Sequence, residues 1–168
     1  SDGETVHGFY YAPKNPEFTA PEGSLPPLLV NVHGGPTSSA RPGLSIAVQY
    51  WTSRGFAFLD VNYRGSTGYG RKYRQRLNGH WGVLDVQDCA EGAQYVVSQG
   101  LADPERIAIR GRSSGGYTVL SALADSDVFT AGTSLFGIGD LKLLDATTHK
   151  FESHYDQFLI GSDDLSDP

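Results

Sequence analysis

Six residues near the middle of the 168-residue chain restrict its fold more than any other segment: Gly111-Arg112-Ser113-Ser114-Gly115-Gly116. They follow a short apolar run, Ile107 to Arg110, and precede Tyr117 to Leu123, which has the composition of a helix. The segment fits the pattern G-x-S-x-G, in which a serine lies on a tight turn between a strand and a helix. The sequence therefore predicts strand, sharp turn and helix in that order.

The glycines of this turn fix which serine lies at its apex. Side chains on either flank would collide with the strand and the helix, so the pattern places glycine there: Gly111, Gly115 and Gly116. Ser113 has glycine two positions away on both sides. Ser114 does not, because Arg112 occupies the position where the pattern would need glycine. Ser113 is therefore the candidate nucleophile.

Strand-like and helix-like stretches alternate along the rest of the chain. The predicted strands are Thr5 to Tyr11, Leu28 to Val32, Phe56 to Val61, Ile107 to Arg110 and Ala131 to Phe136. The predicted helices are Ser45 to Arg54, Asp85 to Gln99 and the one that follows the serine turn. Mostly apolar strands separated by helices predict an α/β fold, with a mostly parallel sheet covered on both faces.

Composition excludes several classes of function. The net charge is -6 and no basic face stands out, which argues against nucleic acid as a partner. The densest basic stretch, residues 71–76, is better explained as a solvated helix face than as a phosphate site. No apolar run approaches the roughly 20 residues of a membrane span. The single cysteine, Cys89, excludes an internal disulfide framework and is compatible with a cytoplasmic location.

Nucleophilic attack by Ser113 requires hydrogen-bond donors that stabilise the negative charge which the attack creates. Acyl transfer passes through a tetrahedral oxyanion, which backbone N–H groups can stabilise. The N–H of Ser114 follows the nucleophile at the start of a helix, where amides are free. The second donor is expected from the loop His33-Gly34-Gly35-Pro36, which follows an earlier strand. Because proline has no N–H, Gly35 is the better candidate.

The general base is the missing part of this site. In this architecture the order along the chain is serine, then Asp or Glu, then histidine. His33 precedes Ser113 and is therefore expected to be structural. His149 and His154 follow the serine after only one further strand, which makes each a poor candidate for the base. Their i, i+5 spacing also disfavours a metal site on one helix face, and we predict no metal and no cofactor.

These motifs together resemble the prolyl oligopeptidase family of serine peptidases, especially its acylaminoacyl-peptidase and dipeptidyl-peptidase-like branches. The resemblance covers the loop at residues 31–36, the glycine-rich block at residues 62–70, residues 79–88 and the serine turn, and it ends at residues 148–152. It implies a three-layer α/β-hydrolase fold. It also implies Ser113 as nucleophile, the Ser114 and Gly35 amides as oxyanion hole, and structural roles for Arg64, Asp85 and Asp88.

The resemblance also implies what lies outside the chain. Residues 1–168 are expected to be a partial peptidase catalytic domain, cut before its last strands, with the family's β-propeller absent. The catalytic Asp and His are then expected beyond Pro168, and the chain alone is expected to be inactive. The implied substrate is an oligopeptide. A carboxylic-ester hydrolase and a non-catalytic fragment stay open as alternatives, and so does a homo-oligomer of the intact protein.

Overall fold

The computed structural model describes residues 3–139 and residue 159, and these residues form one sheet with helices on both faces. The strands are β1 (His7–Tyr11), β2 (Leu28–Val32), β3 (Ala57–Asn62), β4 (Ile107–Arg112) and β5 (Ala131–Leu135). Their order across the sheet is β1-β3-β2-β4-β5. Strand β1 pairs antiparallel with β3, and the other neighbours are parallel. The predicted α/β class with a mostly parallel sheet is confirmed.

Four helices connect the strands of the described region: α1 (Ile46–Thr52), α2 (Arg71–Gln75), α3 (Leu84–Ser98) and α4 (Ser114–Asp125). Helices α3 and α4 contact each other and the same face of the sheet, whereas α1 packs against the opposite face. Strand alternation explains this arrangement, because successive side chains point to opposite faces. On β2, Leu28, Val30 and Val32 join the large core under α3 and α4, and Leu29 packs toward α1.

Helix α3 buries the apolar face that its sequence predicts. Val86, Cys89, Ala93 and Val96 are buried, and Ala90 and Val97 are partly buried beside them. Cys89 has no exposed surface, and desolvation raises the pKa of its thiol well above the usual value. Two carboxylates, Asp85 and Asp88, are equally buried, which apolar periodicity does not reveal.

The predicted elements differ from the observed ones mainly at their ends. Strand β2 has the predicted bounds, and the other strands agree within two residues. Helix α4 begins at Ser114, three residues before its apolar segment, because the glycines of the turn are already helical. The stretch expected as a solvated helix face contains the short helix α2, which ends at Gln75, and one of its residues, Tyr73, is buried. Across residues 3–139 and 159, none of the helices has the length and apolar character needed to span a membrane.

Candidate active site

The serine turn joins β4 to α4, in the predicted order of strand, turn and helix. Ser113 has φ 53° and ψ -125°, in the positive-φ region that side chains other than glycine rarely adopt. Its N–H donates to the Leu135 carbonyl oxygen at 3.1 Å, and its own carbonyl accepts from the Gly116 N–H at 2.8 Å. The side of the turn that carries Ser113 is exposed. The strained backbone thus presents the hydroxyl at the carboxyl edge of the sheet.

Close backbone contacts explain why glycine flanks this serine. A Cβ atom on Gly115 would lie 2.5 Å from the Val32 carbonyl oxygen, at the end of β2. A Cβ on Gly116 would lie 2.6 Å from the Gly137 Cα, and one on Gly111 would overlap the Gly115 carbonyl. Heavy atoms do not approach this closely without displacement of the backbone. The collisions expected from the sequence are therefore present on both flanks of the turn.

The loop His33-Gly34-Gly35-Pro36 lies against Ser113. A Cβ placed on Gly34 would be 3.4 Å from the Ser113 Cβ and 3.0 Å from the Arg112 carbonyl oxygen. Gly35 has φ 131°, a value that favours glycine. Ser114 is the first residue of α4, so its N–H belongs to the turn that lacks intrahelical acceptors. The fold thus brings the three predicted site elements together, and their catalytic roles remain predictions.

The imidazole ring of His33 holds this loop in place. Its Nδ1 lies 2.9 Å from the Gly34 carbonyl oxygen, and its Nε2 lies 2.8 Å from the Ser66 Oγ. Because a carbonyl oxygen can only accept, Nδ1 carries the proton and Nε2 accepts from the Ser66 hydroxyl. The ring stacks on Tyr63 at 4.4 Å, and burial lowers the pKa of His33. A neutral, hydrogen-bonded imidazole in this place fits the expected structural role.

The glycine-rich block at residues 62–70 holds the same loop in place. The Tyr63 hydroxyl donates to the Pro36 carbonyl oxygen at 2.9 Å. The Asn62 side chain bonds both backbone groups of Ala40, accepting at 2.8 Å and donating at 3.1 Å. The Thr67 N–H donates to the Ser38 carbonyl oxygen at 2.7 Å. The block therefore fixes the segment that carries the candidate oxyanion donor.

A buried ion pair anchors this block to helix α3. The Arg64 guanidinium contacts both oxygens of Asp88, with the shortest distance 2.6 Å from Nη2 to Oδ1. The Arg64 N–H also donates to Asp88 at 2.7 Å. Both side chains are almost fully buried. Charge-assisted, bidentate contacts of this kind are strong and directional.

Asp85 ties α3 to the helix that carries the candidate nucleophile. Its carboxylate accepts from the Thr118 hydroxyl of α4 at 2.5 Å and from the Gly82 N–H at 2.7 Å. Desolvation in this buried position raises the pKa of Asp85. Both aspartates therefore make structural contacts away from Ser113, as the resemblance implies.

The structure does not supply a base for Ser113 among the residues that it describes. His149 and His154 lie outside those residues. Within residues 3–139 and 159, no group of three or more His, Cys, Asp or Glu side chains could hold a metal ion. Sequence reasoning missed the contacts of His33 with Ser66 and Tyr63, because residues some 30 positions apart give no local signal.

The sheet order and the serine turn define an α/β-hydrolase fold, and comparisons with known proteins identify its family. The model of the prolyl oligopeptidase family matches residues 42–167, so the chain belongs to this family of serine peptidases. It is 37% identical over 122 residues to dipeptidyl aminopeptidase BIII of Pseudoxanthomonas mexicana, covering 72% of this chain and 18% of that protein. It is 37% identical over 113 residues to the acylamino-acid-releasing enzyme of Arabidopsis thaliana, covering 67% and 15%.

Solved structures agree with this family and with the fold. A puromycin-hydrolyzing peptidase of Mycobacterium tuberculosis is 53% identical, with a TM-score of 0.94 over 96% of this chain and 25% of that one. The acylaminoacyl peptidase of Pyrococcus horikoshii is 34% identical, with a TM-score of 0.82 over 95% and 25%. The chain thus spans 15–25% of the length of these relatives.

Proposed function

We propose that the intact protein carrying this chain is a serine peptidase that cleaves short peptides through an acyl-enzyme on Ser113. The observation that carries the proposal is the placement of an exposed, strained serine against the Gly34-Gly35 loop. The names of its relatives, which include dipeptidyl and acylamino-acid-releasing peptidases, support release of an N-terminal dipeptide or a blocked residue.

In the proposed reaction, the Ser113 oxygen attacks the carbonyl carbon of the scissile amide and its proton passes to a base. The carbonyl oxygen becomes an oxyanion that accepts hydrogen bonds from the Ser114 and Gly35 N–H groups. Removal of one such donor costs roughly 2.7–4 kcal/mol of barrier in enzymes of this kind. The protonated base then gives its proton to the leaving amine, and water hydrolyses the ester formed on Ser113.

The Asp and His of the triad belong, in this proposal, to the longer protein. The 168-residue chain alone is then expected to turn over substrate barely at all. Loss of the base in a serine triad costs on the order of 10⁶ in kcat, and binding with the oxyanion hole retains roughly 10³–10⁴ over water.

A fluorophosphonate probe and an aminoacyl-nitroanilide assay on the full-length protein test the proposal. Ser113→Ala should abolish both labelling and turnover, whereas Ser98→Ala, at the far end of α3, should leave both unchanged. Turnover that survives Ser113→Ala would refute Ser113 as nucleophile. Robust turnover by the isolated chain that Ser113→Ala abolishes would show that the base lies within these residues.

The same assay separates peptidase from esterase. Comparison of kcat/KM for aryl esters and for peptide anilides in the full-length protein decides which bond it prefers, since the serine turn serves both. Efficient cleavage of esters without measurable cleavage of anilides would replace the peptidase proposal with the ester-hydrolase alternative.

A further inference from the structure

The charged side chains of the described residues are unevenly divided between the carboxyl ends and the amino ends of the parallel strands, which form two opposite edges of the sheet. The segments at the carboxyl edge, residues 33–45, 63–83 and 112–113, contain no Asp or Glu. They carry five exposed cations, Arg41, Arg71, Lys72, Arg74 and Arg112. Three carboxylates that come near this edge already have partners: Glu4 pairs with Arg76, Asp88 pairs with Arg64, and the buried Asp85 accepts from Thr118 and Gly82.

The opposite edge has the opposite character. The segments that precede β4 and β5 there carry Asp103, Glu105, Asp125 and Asp127, with Arg106 as a cation. The chain as a whole has a net charge of -6, so the cations at the Ser113 edge are not a consequence of composition. A cluster of one sign at the edge of a site attracts ligands of the opposite sign.

Arg112 is the member of this cluster that lies beside the candidate nucleophile. It is the last residue of β4, and its carbonyl oxygen lies 3.0 Å from the position that a Cβ on Gly34 would take. Successive side chains of a strand point to opposite faces of the sheet. Ile109 and Gly111 are buried on the face that α4 covers, so the side chain of Arg112 points to the opposite face. The side chain is exposed and makes no hydrogen bond or ion pair with any residue between 3 and 139 or with residue 159.

We infer that Arg112 is a specificity-determining residue that receives a carboxylate of the peptide substrate near the scissile bond. The inference rests on the proposed function of Ser113. Adjacent Cα atoms are about 3.8 Å apart, and an extended peptide advances about 3.3–3.6 Å per residue. Because Arg112 adjoins Ser113, the inference places a carboxylate within two residues of the scissile bond, about 7 Å along an extended peptide, against the guanidinium. The planar fork of arginine matches a carboxylate in a bidentate manner, which lysine does not.

Two groups of a peptide supply this chemistry: the free C-terminal carboxylate of a short peptide, and the side chain of Asp or Glu. Both would gain from Arg112, and Arg41 and the cations of α2 would raise the local concentration of either. The two sources differ in one testable respect, since only the first disappears when the C-terminus is amidated.

The test uses the full-length protein and three peptides of identical sequence around the scissile bond. The first ends two residues beyond that bond in a free carboxylate, the second ends there in an amide, and the third is the amide with Asp in place of the terminal residue. We expect kcat/KM to be roughly 10-fold higher for at least one anionic peptide than for the neutral amide, as for a hydrogen bond to a charged group.

Arg112→Gln should bring the ratio of kcat/KM for the anionic peptide to kcat/KM for the neutral amide to within about twofold of unity. Arg112→Lys should restore part of the preference. Arg74→Gln removes an exposed cation of the same edge that is not adjacent to Ser113, and it should reduce the preference far less than Arg112→Gln does. The preference should also fall as salt is raised, because exposed charges are screened.

Three results would overturn the inference: no anionic preference, a preference that survives Arg112→Gln, or equal losses in Arg112→Gln and Arg74→Gln. Equal losses would assign the anionic preference to the combined charge of the cations at this edge and not to Arg112. Failure of the proposed function is distinguishable, because it appears as cleavage of the neutral amide that survives Ser113→Ala.

Discussion

Replacement of Gly115 by alanine tests whether the fit of α4 against β2 sets the geometry of the serine turn. The added Cβ would lie 2.5 Å from the Val32 carbonyl oxygen and 2.7 Å from that of His33. Both are backbone atoms at the end of β2, so no side-chain rotation can relieve the overlap. Gly92, in the middle of α3, is a matched control, since a Cβ there would meet the Leu59 side chain at an ordinary 3.4 Å.

The two substitutions are expected to change the free energy of unfolding in opposite directions. Alanine is favoured over glycine in a helix by about 0.8–1.0 kcal/mol. Gly92→Ala should gain about this amount. Gly115→Ala makes the same gain, but overpacking costs typically about 1–3 kcal/mol, and here the displaced atoms are main chain. At the upper end of that cost, which displaced main-chain atoms favour, Gly115→Ala loses about 2 kcal/mol net.

Thermal unfolding of both variants in the full-length protein measures the change in stability, and the rate of fluorophosphonate labelling measures the change in the geometry of the serine turn. Gly92→Ala should melt above the wild type and label at the wild-type rate. Gly115→Ala should melt below it and label more slowly, because His33 leads directly into the loop beside Ser113. A Gly115→Ala variant that is as stable and as reactive as Gly92→Ala would refute the argument from backbone contacts.

Two further predictions concern the groups that hold the loop and the glycine-rich block. Asp88→Asn should destabilise the protein by about 3–5 kcal/mol in a denaturant titration, because it leaves the Arg64 guanidinium buried without its counter-charge, and a loss below about 1 kcal/mol would contradict this. Burial lowers the pKa of His33, so the unfolded chain binds more protons than the folded one as the pH falls below about 6.5, and stability should decrease there. In His33→Gln this acid-side loss should be smaller, and an unchanged pH profile would exclude His33 as its source.

The sequence predicts the fold well where one segment carries its own pattern. The apolar run Leu28–Val32 gives β2 with its observed bounds, and the spacing of glycines around Ser113 gives the turn between β4 and α4. The composition typical of a helix begins only at Tyr117, whereas the turn pattern places the start of the helix at Ser114, with Gly115 and Gly116 between them. In the structure they are helical since only glycine allows α4 to approach the carbonyl groups at the end of β2.

The site is predicted less completely, because its support comes from residues distant in sequence. The composition of the H-G-G-P loop indicates a donor near Ser113, and the structure adds that His33, Ser66 and Tyr63 hold this loop. In the sequence, Asp85 and Asp88 are ordinary acidic residues at a helix start. Their burial depends on Thr118 and Arg64, which lie on other elements and become neighbours only after folding.

The complete burial of Cys89 has a practical consequence for labelling this protein at cysteine. The chain has one cysteine, and its thiol lies wholly inside the core with a raised pKa. Thiolate is the reactive form of cysteine, so maleimide reagents have little access to this group in the native state. A cysteine introduced at an exposed site of the chain can then carry a fluorophore or spin label on its own, without first removing Cys89 and disturbing the packing of α3.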